Sequence, residues 1–416
     1  MKKAPLVALL TANAISMVGN VFALLAIPWF VLQTTNSPAK TGLTGFSITL
    51  AAVVATFFGG TIVDRLGFKR TSIIADVASG GAFALIPLLY GLTGLQYGPF
   101  LALVFAGNFL DAPGTTAREA LIPDLAGEAG ISLERASALI QAVERGSRMV
   151  GAPLAGGLIA LIGAQNVLWI DAASFAASAL IVWLAVPRGK IQPKPAGPPT
   201  DYLAEMRAGL RFLMQDSLLL AIVLIVVMSN FIDTPLSGVI YPVYFRRFFG
   251  SAFDLGLVVS ASGGGALVTA LIFGAIGHRL PRRAVFFGGF LIVILRFFVF
   301  ALVPPFWALL AVSLIAGLGA GPINPVISTV SYERIPIEMR GRVLGSQVSL
   351  AYVAMPLGSV LGGLALEWMD IRLLLVIMGG LYLATILGSM LVPAVRQMDV
   401  RPTGRAEGSH PPLDAD

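Results

Sequence analysis

Long apolar stretches follow one another along almost the whole chain, separated by short polar segments. A helix needs about 20 apolar residues to cross the hydrocarbon core of a bilayer. The pattern predicts twelve such spans, at residues 5–32, 41–63, 71–92, 99–117, 136–162, 167–187, 217–245, 254–277, 284–303, 306–330, 341–368 and 372–393. We therefore expect an all-α polytopic membrane protein with twelve transmembrane helices.

The polar segments divide the chain into four parts. We predict an N-terminal six-helix bundle at 1–187 and a C-terminal six-helix bundle at 217–395. Between them, 188–216 is predicted to be a cytoplasmic linker, with a proline-rich stretch followed by a short amphipathic helix at 201–214. Residues 396–416 are polar and are expected to form a disordered tail. The first apolar stretch is too long for a cleaved signal peptide, so we expect it to be retained.

Composition and charge agree with this topology. Of the 416 residues, 56% are hydrophobic and 12% are charged, whereas a soluble domain typically has about 25% charged residues. Most Lys and Arg residues fall on the side of the membrane that carries both termini. Those predicted on the other side are Lys40, Arg246, Arg247 and Arg372. The positive-inside rule then puts both termini in the cytoplasm of a bacterium, with the chain in its inner membrane. The net charge of +6 reflects this orientation and contact with membrane lipids, and we expect no nucleic-acid partner.

The two halves of the sequence resemble each other. One constant shift superposes Pro28 on Pro242, Gly42 on Gly256 and Gly60 on Gly274. Because each half has six predicted helices, both halves enter the membrane in the same orientation. This is the arrangement of parallel repeats, in which the substrate site lies between the halves near the midplane.

The stretch 60–70, GTIVDRLGFKR, resembles the signature loop between the second and third helices of the major facilitator superfamily. The resemblance implies that this loop helps to hold an outward-facing state, and the alternative is a basic loop that only fixes orientation. A weaker copy, GAIGHRLPRR at 274–283, has His278 in place of the acid. The residues assigned to the gate are Gly60, Asp64, Arg65, Gly67, Lys69 and Arg70.

Further stretches narrow the resemblance. REALIPDL at 118–125, DAASF at 171–175, GLRFL at 209–213 and RGRV at 340–343 are similar to the macrolide-efflux and enterobactin-exporter branch of that family. GAPLAGG at 151–157 resembles the antiporter motif of exporters, although Arg148 and Ala152 stand where the motif prefers glycine. Close packing of small residues explains the same pattern. The residues of this antiporter-like motif are Gly151, Pro153, Gly156 and Gly157.

Several ionisable residues lie inside the predicted spans, where each costs about 2.5–3.5 kcal/mol on insertion scales. Asp111 and Asp233 have no partner three or four residues away, and a lone carboxylate in a medium of low dielectric favours its protonated form. They are the main candidates for proton coupling. Glu144 and Arg148 are four residues apart in the favourable order for an ion pair, so either coupling or a structural pair is possible. Asp76 and Asp171 lie near span ends, and we expect them to cap helices.

A central cavity is predicted from interrupted helices. Glycine and proline break the pattern at 111–114 in the fourth span and at 319–325 in the tenth, and such paired breaks indicate a binding site or hinge. The acid that the family commonly places in the first helix is replaced here by Asn20. The predicted lining favours a bulky amphipathic ligand over a sugar or phosphate. It comprises Asn13, Ser16, Asn20, Phe22, Phe109, Asn230, Phe231, Tyr241, Arg296 and Asn324.

Missing motifs exclude several functions. The sequence has no cysteine and only two histidines, so neither a thiolate metal site nor a histidine-based triad or zinc site is expected in the membrane. A phosphate-binding loop for ATP is also missing. We therefore expect no enzyme, cofactor or metal, and an ion or substrate gradient as the energy source.

Three functions remain for a chain that we expect to be monomeric. The first is a proton-driven antiporter that exports amphipathic compounds such as drugs or siderophores. The second is an uptake symporter or a lysophospholipid transporter, and the third is a membrane sensor that no longer transports. The signature loop and the charges within the spans argue against the sensor.

Overall fold

The computed structural model describes residues 3–187 and 202–400, except for the side chains of residues 56–65, 134 and 202–205. The N-terminal half contains α1 (Ala4–Thr35), α2 (Pro38–Leu66), α3 (Phe68–Thr93), α4 (Tyr97–Ala120), α5 (Ile122–Ala129), α6 (Leu133–Ile162) and α7 (Ala164–Ala185). The helix α8 (Tyr202–Gln215) precedes the C-terminal half. That half contains α9 (Ser217–Pro235), α10 (Tyr241–Phe248), α11 (Ala252–Ile276), α12 (Arg282–Ala301), α13 (Phe306–Ala320), α14 (Ile323–Arg334), α15 (Arg340–Val353), α16 (Met355–Trp368) and α17 (Ile371–Met390).

These helices account for the twelve predicted spans. Within the described ranges, nine helical stretches are long and apolar enough to cross a membrane. The helices α2, α4 and α6, of 24 to 30 residues, supply the other three. The helices α4 and α6 are less apolar because they carry charged residues such as Asp111, Arg118 and Arg148. The predicted all-α architecture is confirmed.

Three spans of the C-terminal half consist of two helices each. A π-helical segment, Leu236–Ile240, joins α9 to α10 in the seventh span. The tenth span is interrupted between α13 and α14 at Gly321 and Pro322, as predicted. The eleventh is interrupted at Ala354, before Pro356, which the sequence analysis did not foresee. Proline accounts for the last two breaks because it lacks the N–H that continues a helix.

The break predicted in the fourth span is wrong. The helix α4 continues through Pro113 to Ala120 without interruption. A single proline removes one backbone hydrogen bond, and packing against neighbouring helices can hold such a helix together. Pro113 and Gly114 are buried, and a Cβ on Gly114 would lie 2.8 Å from Ala75 of α3, so this neighbouring helix provides that support. The interruptions are therefore not paired between the two halves.

The two halves meet closely at one end of the bundle, which we call the closed end. It carries the α1–α2, α10–α11 and α16–α17 connections. A Cβ atom on Gly42 of α2 would lie 2.5 Å from the carbonyl oxygen of Ser359 and 2.9 Å from the Cα atom of Gly363, both on α16. A Cβ on Gly256 of α11 would collide with the carbonyl oxygen of Ala152 on α6. Glycine therefore allows both pairs of helices to approach at backbone distance.

Polar contacts between the halves reinforce the closed end. The guanidinium group of Arg246 donates to the carbonyl oxygen of Leu32 and to Asn36 Oδ1, the latter at 2.7 Å. On the other side of the interface, Glu367 Oε1 accepts from Ser37 Oγ at 2.7 Å and from the backbone N–H of Ala39 at 3.3 Å. These bonds link the α1–α2 connection to α10 and to the end of α16.

Residues beyond the described ranges include the proline-rich part of the predicted linker and most of the predicted tail, so those two assignments stay predictions. The helix α8 occupies the place of the predicted amphipathic helix. The first residues of the predicted tail form a 3-10 helix, Pro393–Asp399, in which Val395 and Met398 are buried. Ordered structure therefore extends to Asp399, past the predicted start of a disordered tail at residue 396.

Candidate functional site

The interior of the N-terminal half contains a buried ion pair. Arg118 of α4 is 1% exposed, and its guanidinium group is bonded to the carboxylate of Asp76 on α3. The same guanidinium donates to Asn13 Oδ1 at 3.3 Å and to Ser16 Oγ at 3.4 Å, both on α1. Ser178 Oγ of α7 donates to the second oxygen of Asp76 at 2.7 Å. Arg118 therefore joins four helices through polar contacts.

Asp111 lies beside this ion pair. Its Oδ2 accepts from Asn20 Nδ2 of α1 at 3.0 Å, and its Oδ1 lies 3.7 Å from the guanidinium group of Arg118. Arg118 follows Asp111 by seven residues, two turns farther along the same helix. The sequence analysis treated Asp111 as unpaired because it looked for partners only three or four residues away. That interpretation is wrong.

A second ion pair lies in the C-terminal half. Arg296 of α12 donates to Asp233 Oδ1 of α9, and Tyr382 Oη of α17 donates to Asp233 Oδ2 at 3.2 Å. Both charged side chains are partly buried, with 15% of the Arg296 side chain and 31% of the Asp233 side chain exposed. Asp233 is therefore also paired, contrary to the prediction. Its partners come from distant parts of the sequence.

The assignment of Asp76 and Asp171 as helix caps is wrong. Both residues lie inside helices, α3 and α7 respectively, and both are fully buried. Arg118, which lies just past the predicted end of the fourth span, is likewise part of α4. The predicted fourth span ended at residue 117, so an error of three residues concealed it. The seven-residue spacing between Asp111 and Arg118, which places both on one face of a helix, is the sequence feature that could have revealed the contact.

Glu144 and Arg148 form the predicted ion pair on α6, with Arg148 Nη2 3.2 Å from Glu144 Oε1. The side chain of Arg148 is 71% exposed, and that of Glu144 is 36% exposed. An exposed pair of this kind contributes about 0–1 kcal/mol. The geometry fits the structural interpretation of these residues, and their role in coupling stays a prediction.

The signature loop is described only in part. Gly60, Asp64 and Arg65 lie in the stretch of α2 whose side chains are not described, so their role in gating stays a prediction. Gly67 precedes α3 with φ = +79°, a conformation that favours glycine. Lys69 donates to the carbonyl oxygens of Trp183, at 2.9 Å, and Val186. This contact lies within the N-terminal half.

The weaker copy of the loop contacts its own half. Arg282 binds Glu333 of α14 through two bonds of 2.6 and 2.7 Å. The backbone N–H of Arg283 donates to Asp399 Oδ1 at 3.1 Å. Arg279 Nε donates to Nε2 of His278 at 3.2 Å. This copy therefore ties α12 to α14 and to the 3-10 helix that follows α17.

The antiporter-like motif packs α6 against two helices. A Cβ on Gly151 would lie 3.1 Å from Val21 of α1, and one on Gly156 would collide with the carbonyl oxygen of Ala252 in α11. A Cβ on Gly157 would make an ordinary contact of 3.7 Å with Phe253, and Pro153 lies against Gly256. The contacts with α11 cross from one half to the other, so packing and a role in transport remain compatible.

The predicted cavity residues separate into several groups. Asn13, Ser16 and Asn20 join the cluster around Arg118, while Arg296 joins Asp233. Asn230 Nδ2 donates to the carbonyl oxygen of Ala351 at 2.9 Å. Phe22 and Tyr241 are buried, and Tyr241 stacks on Phe300 at 5.0 Å. Phe109 and Phe231 are partly buried, and Asn324 is exposed.

Within the described part of the chain, no group of three or more His, Asp or Glu side chains is arranged to hold a metal ion. The buried polar groups instead form two separate acid–base clusters. One consists of Asp76, Asp111 and Arg118 with their partners on α1 and α7, and we call it the N-cluster. The other consists of Asp233, Arg296 and Tyr382, and we call it the C-cluster.

Comparison with known proteins identifies the family to which this chain belongs. The sequence model of the Major Facilitator Superfamily matches residues 9–232 and again residues 223–414. The chain is 32% identical over 365 residues to the multidrug efflux pump Tap of Mycolicibacterium fortuitum, an alignment that covers 87% of this chain and 89% of that protein. It is 30% identical over 403 residues to the multidrug efflux pump Tap of Mycobacterium tuberculosis, covering 96% of each.

Solved structures share the fold at low sequence identity. A mutant of the nucleoside transporter NupG superposes with a TM-score of 0.79 at 16% identity, covering 92% of this chain and 98% of that one. A D-xylose-proton symporter superposes with a TM-score of 0.72 at 14% identity, covering 94% and 98%. These likenesses concern the arrangement of the helices alone.

Proposed function

Because this chain belongs to the Major Facilitator Superfamily, it is a multi-pass membrane transporter and not an enzyme, and we propose that it exports amphipathic small molecules in exchange for protons. The observation that carries the proposal is that each half encloses a carboxylate in contact with a guanidinium group. These are Asp111 with Arg118 and Asp233 with Arg296. Ionisable groups are costly inside a membrane and are retained there mostly for function.

Proton exchange has a physical basis in both clusters. A carboxylate beside a guanidinium group is stabilised as the anion, and any movement that separates the two favours protonation. Asp111 and Arg118 also contact α1, while Asp233 contacts α12 and α17. A rearrangement of these helices would change the affinity of each carboxylate for a proton. Asp111 and Asp233 are therefore the coupling residues of the proposal.

Alternating access follows from the closed end. The halves pack at backbone distance there, through Gly42 and Gly363 and through Gly256 and Ala152. If both termini are cytoplasmic, as the charge distribution predicts, the closed end faces outward. Transport would require these contacts to break while the opposite end closes. The signature loop with Asp64 lies at that opposite end.

The proposed substrate is an amphipathic molecule, such as a drug or a siderophore. The residues near the clusters set the chemistry of recognition, and they are mostly apolar, aromatic or amide side chains with few fixed charges. Two relatives that align over most of this chain are named multidrug efflux pumps. An amphipathic cation would find one counter-charge in Asp233, whose side chain is partly accessible. We propose a monomer in the inner membrane of a bacterium.

Transport in liposomes tests this function. The purified protein is reconstituted with ethidium as the amphipathic cation, and its accumulation is followed by fluorescence after a pH gradient is imposed. We expect gradient-dependent accumulation, and we expect Asp111→Asn and Asp233→Asn together to reduce it to the level of protein-free liposomes. Glu338→Gln, which removes an exposed carboxylate, is the matched control and should retain wild-type accumulation.

The direction of the imposed gradient separates export from uptake. An antiporter accumulates ethidium in the compartment that is more acidic, because protons leave as the substrate enters. A symporter accumulates it in the compartment that is less acidic. Accumulation that does not depend on the pH gradient would contradict proton coupling. Wild-type accumulation by the variant with both Asp111→Asn and Asp233→Asn would contradict it as well.

A further inference from the structure

The N-terminal half buries one more carboxylate that has no role in the two clusters. Asp171 of α7 is 0% exposed, and within the described residues neither of its carboxylate oxygens has a hydrogen-bond partner. The charged side chain that acts on it through space is a second carboxylate, Asp111. A lone ionised carboxylate is very costly in such a place. Some feature of this site must therefore compensate for Asp171.

No cation faces Asp171 from the helices packed against α7. The helix α1 has no charged residue between Ala4 and Thr35, and α3 contributes Asp76, which is already bound to Arg118. Lys69 and Arg70 lie at the start of α3, where Lys69 is bonded near the far end of α7. The charged residues of α6 lie two or more helical turns farther from the α6–α7 connection than Asp171 does, with Arg148 the nearest of them and Arg135 near the opposite end of the helix.

The charge balance of this interior leads to a protonated acid. The guanidinium group of Arg118 lies beside Asp76 and Asp111, whereas neither carboxylate oxygen of Asp171 has a hydrogen-bond partner among the described residues. Burial without a partner, next to other carboxylates, favours the protonated form of an acid. Asp171 is therefore the carboxylate of this interior that is expected to keep a proton.

A polar strip on α7 connects this acid to the N-cluster. Asp171, Ser174 and Ser178 are buried on one face of the helix. Ser178 donates to Asp76, and Ser174 donates to the carbonyl oxygen of Asp171 at 2.7 Å. The strip spans two turns, about 10 Å. Hydroxyl groups both donate and accept, so the strip places two such groups between Asp171 and Asp76.

Asp171 is also close to α1 and to a crevice. A Cβ on Gly19 would lie 2.7 Å from Asp171 Oδ1, so the carboxyl group reaches the backbone of α1 next to Asn20, the partner of Asp111. A crevice of about 470 Å³ between α1 and α7 is lined by Gly19 and Ser174, among others. Both residues touch Asp171. Only one layer of residues, which includes Gly19 and Ser174, therefore separates the crevice from the carboxyl group of Asp171.

We propose that Asp171 is a proton-binding residue of the transport cycle, which holds a proton in the conformation seen here and exchanges it with Asp111. In that exchange the O–H bond of Asp171 breaks and one forms on Asp111, so the total charge of the interior is unchanged. Asp111 then loses its attraction to Arg118, and the contacts of α4 with α1 through Asn20 change. The inference rests on the proposed proton-coupled function and adds a residue to it.

Infrared spectroscopy tests the protonation directly. The wild-type protein in detergent at neutral pH should show a C=O stretching band of a carboxylic acid, and incorporation of aspartate labelled with ¹³C in its side-chain carboxyl group should shift that band. Asp171→Asn, which replaces a neutral acid by a group of the same size, should remove it. Glu128→Gln, which removes an exposed carboxylate on α5, should leave it in place. A missing band in the wild type, or an unchanged band in Asp171→Asn, overturns the proposal.

Transport then separates this inference from the function on which it rests. In the ethidium assay, Asp171→Asn should lose accumulation driven by the pH gradient, while ethidium binding stays within about twofold of the wild type. A residue that only stabilises the fold would change binding and accumulation together. A wild type that ignores the gradient contradicts the proposed function, whereas equal gradient-driven accumulation by wild type and Asp171→Asn contradicts the role of Asp171 alone.

Discussion

At the scale of single residues, the sequence located most of the important ionisable groups but not their partners. Asp111, Asp233 and Arg296 were recognised because charges are conspicuous within apolar stretches. Their pairing depends on contacts between helices far apart in the sequence, such as α9 with α12 and α17. Sequence spacing reveals a partner only when it lies on the same helix face, as with Glu144 and Arg148. The surroundings of Asp171 likewise come from other helices, which is why it was interpreted as a helix cap.

Arg118 should be essential to the stability of the N-terminal half. Arg118→Met removes the charge that compensates Asp76, and breaking a buried pair in this way costs about 3–5 kcal/mol. We expect a clearly lower midpoint of thermal unfolding, measured by tryptophan fluorescence in detergent. Arg148→Met breaks an exposed pair on α6, which contributes about 0–1 kcal/mol, and serves as the control.

The double variant Arg118→Met/Asp76→Asn provides a second check on that prediction. It removes both charges, so it should recover part of the stability lost in Arg118→Met. Equal midpoints for Arg118→Met and Arg148→Met would show that the pair with Asp76 contributes little.

At the scale of helices, apolar length predicted the existence of the spans well but their interruptions poorly. Proline and glycine mark both the real break between α13 and α14 and the unbroken course of α4 through Pro113. Whether a proline ends a helix depends on the support that neighbouring helices give, and the local sequence does not contain that information. The π-helical segment after Pro235 has no distinct sequence pattern of its own.

The packing of α2 against α16 should control how firmly the closed end is shut. In Gly42→Ala the added methyl group would lie 2.5 Å from the carbonyl oxygen of Ser359, so the two helices must separate. We expect a single cysteine at position 359, where the native side chain is 1% exposed, to react several-fold faster with a maleimide in this variant. Gly81→Ala, where no atom lies within 4 Å of the added group, should leave the rate unchanged. If Gly42→Ala also leaves the reaction rate unchanged, the added methyl group does not open the contact between α2 and α16, and the prediction is wrong.

At the scale of the whole molecule, the two halves share a topology but differ in their interiors. The internal repeat predicted the shared topology, because the same helix lengths and glycine positions recur in both halves. The N-terminal half holds Asp76 and Asp111 beside Arg118, together with Asp171, whose carboxylate has no hydrogen-bond partner among the described residues. In the C-cluster, one carboxylate is paired with one guanidinium group. The repeat gave no hint of this difference, since the charged positions do not superpose. The gate residues Asp64 and Arg65 stay predictions.

A disulfide across the closed end should arrest transport. A Cβ on Gly45 of α2 would lie 3.2 Å from the Cβ of Ser359 on α16, near the range of about 3.5–4.5 Å found in disulfides. Because the native chain has no cysteine, the pair Gly45→Cys/Ser359→Cys can be introduced without a background thiol. Oxidation should abolish ethidium accumulation, and reduction should restore it.

The two single-cysteine variants, treated with the same oxidant, are the controls for that experiment. They should transport before and after oxidation. Full transport by the oxidised double variant, with the disulfide verified by its mobility on a gel, would mean that the closed end does not open in the cycle.

The π-helical segment Leu236–Ile240 has a consequence for the deletion of single residues from the seventh span. A π-turn accommodates one residue more than an α-turn, so it absorbs an extra residue without rotating the helix on either side. Loss of one codon here, such as that of Gly238, would leave Asp233 and Tyr241 facing their present neighbours. Loss of a codon in the continuous helix α1 would turn every following side chain of that helix by about 100°. The seventh span is thus a place where this chain can lose a residue and keep its register.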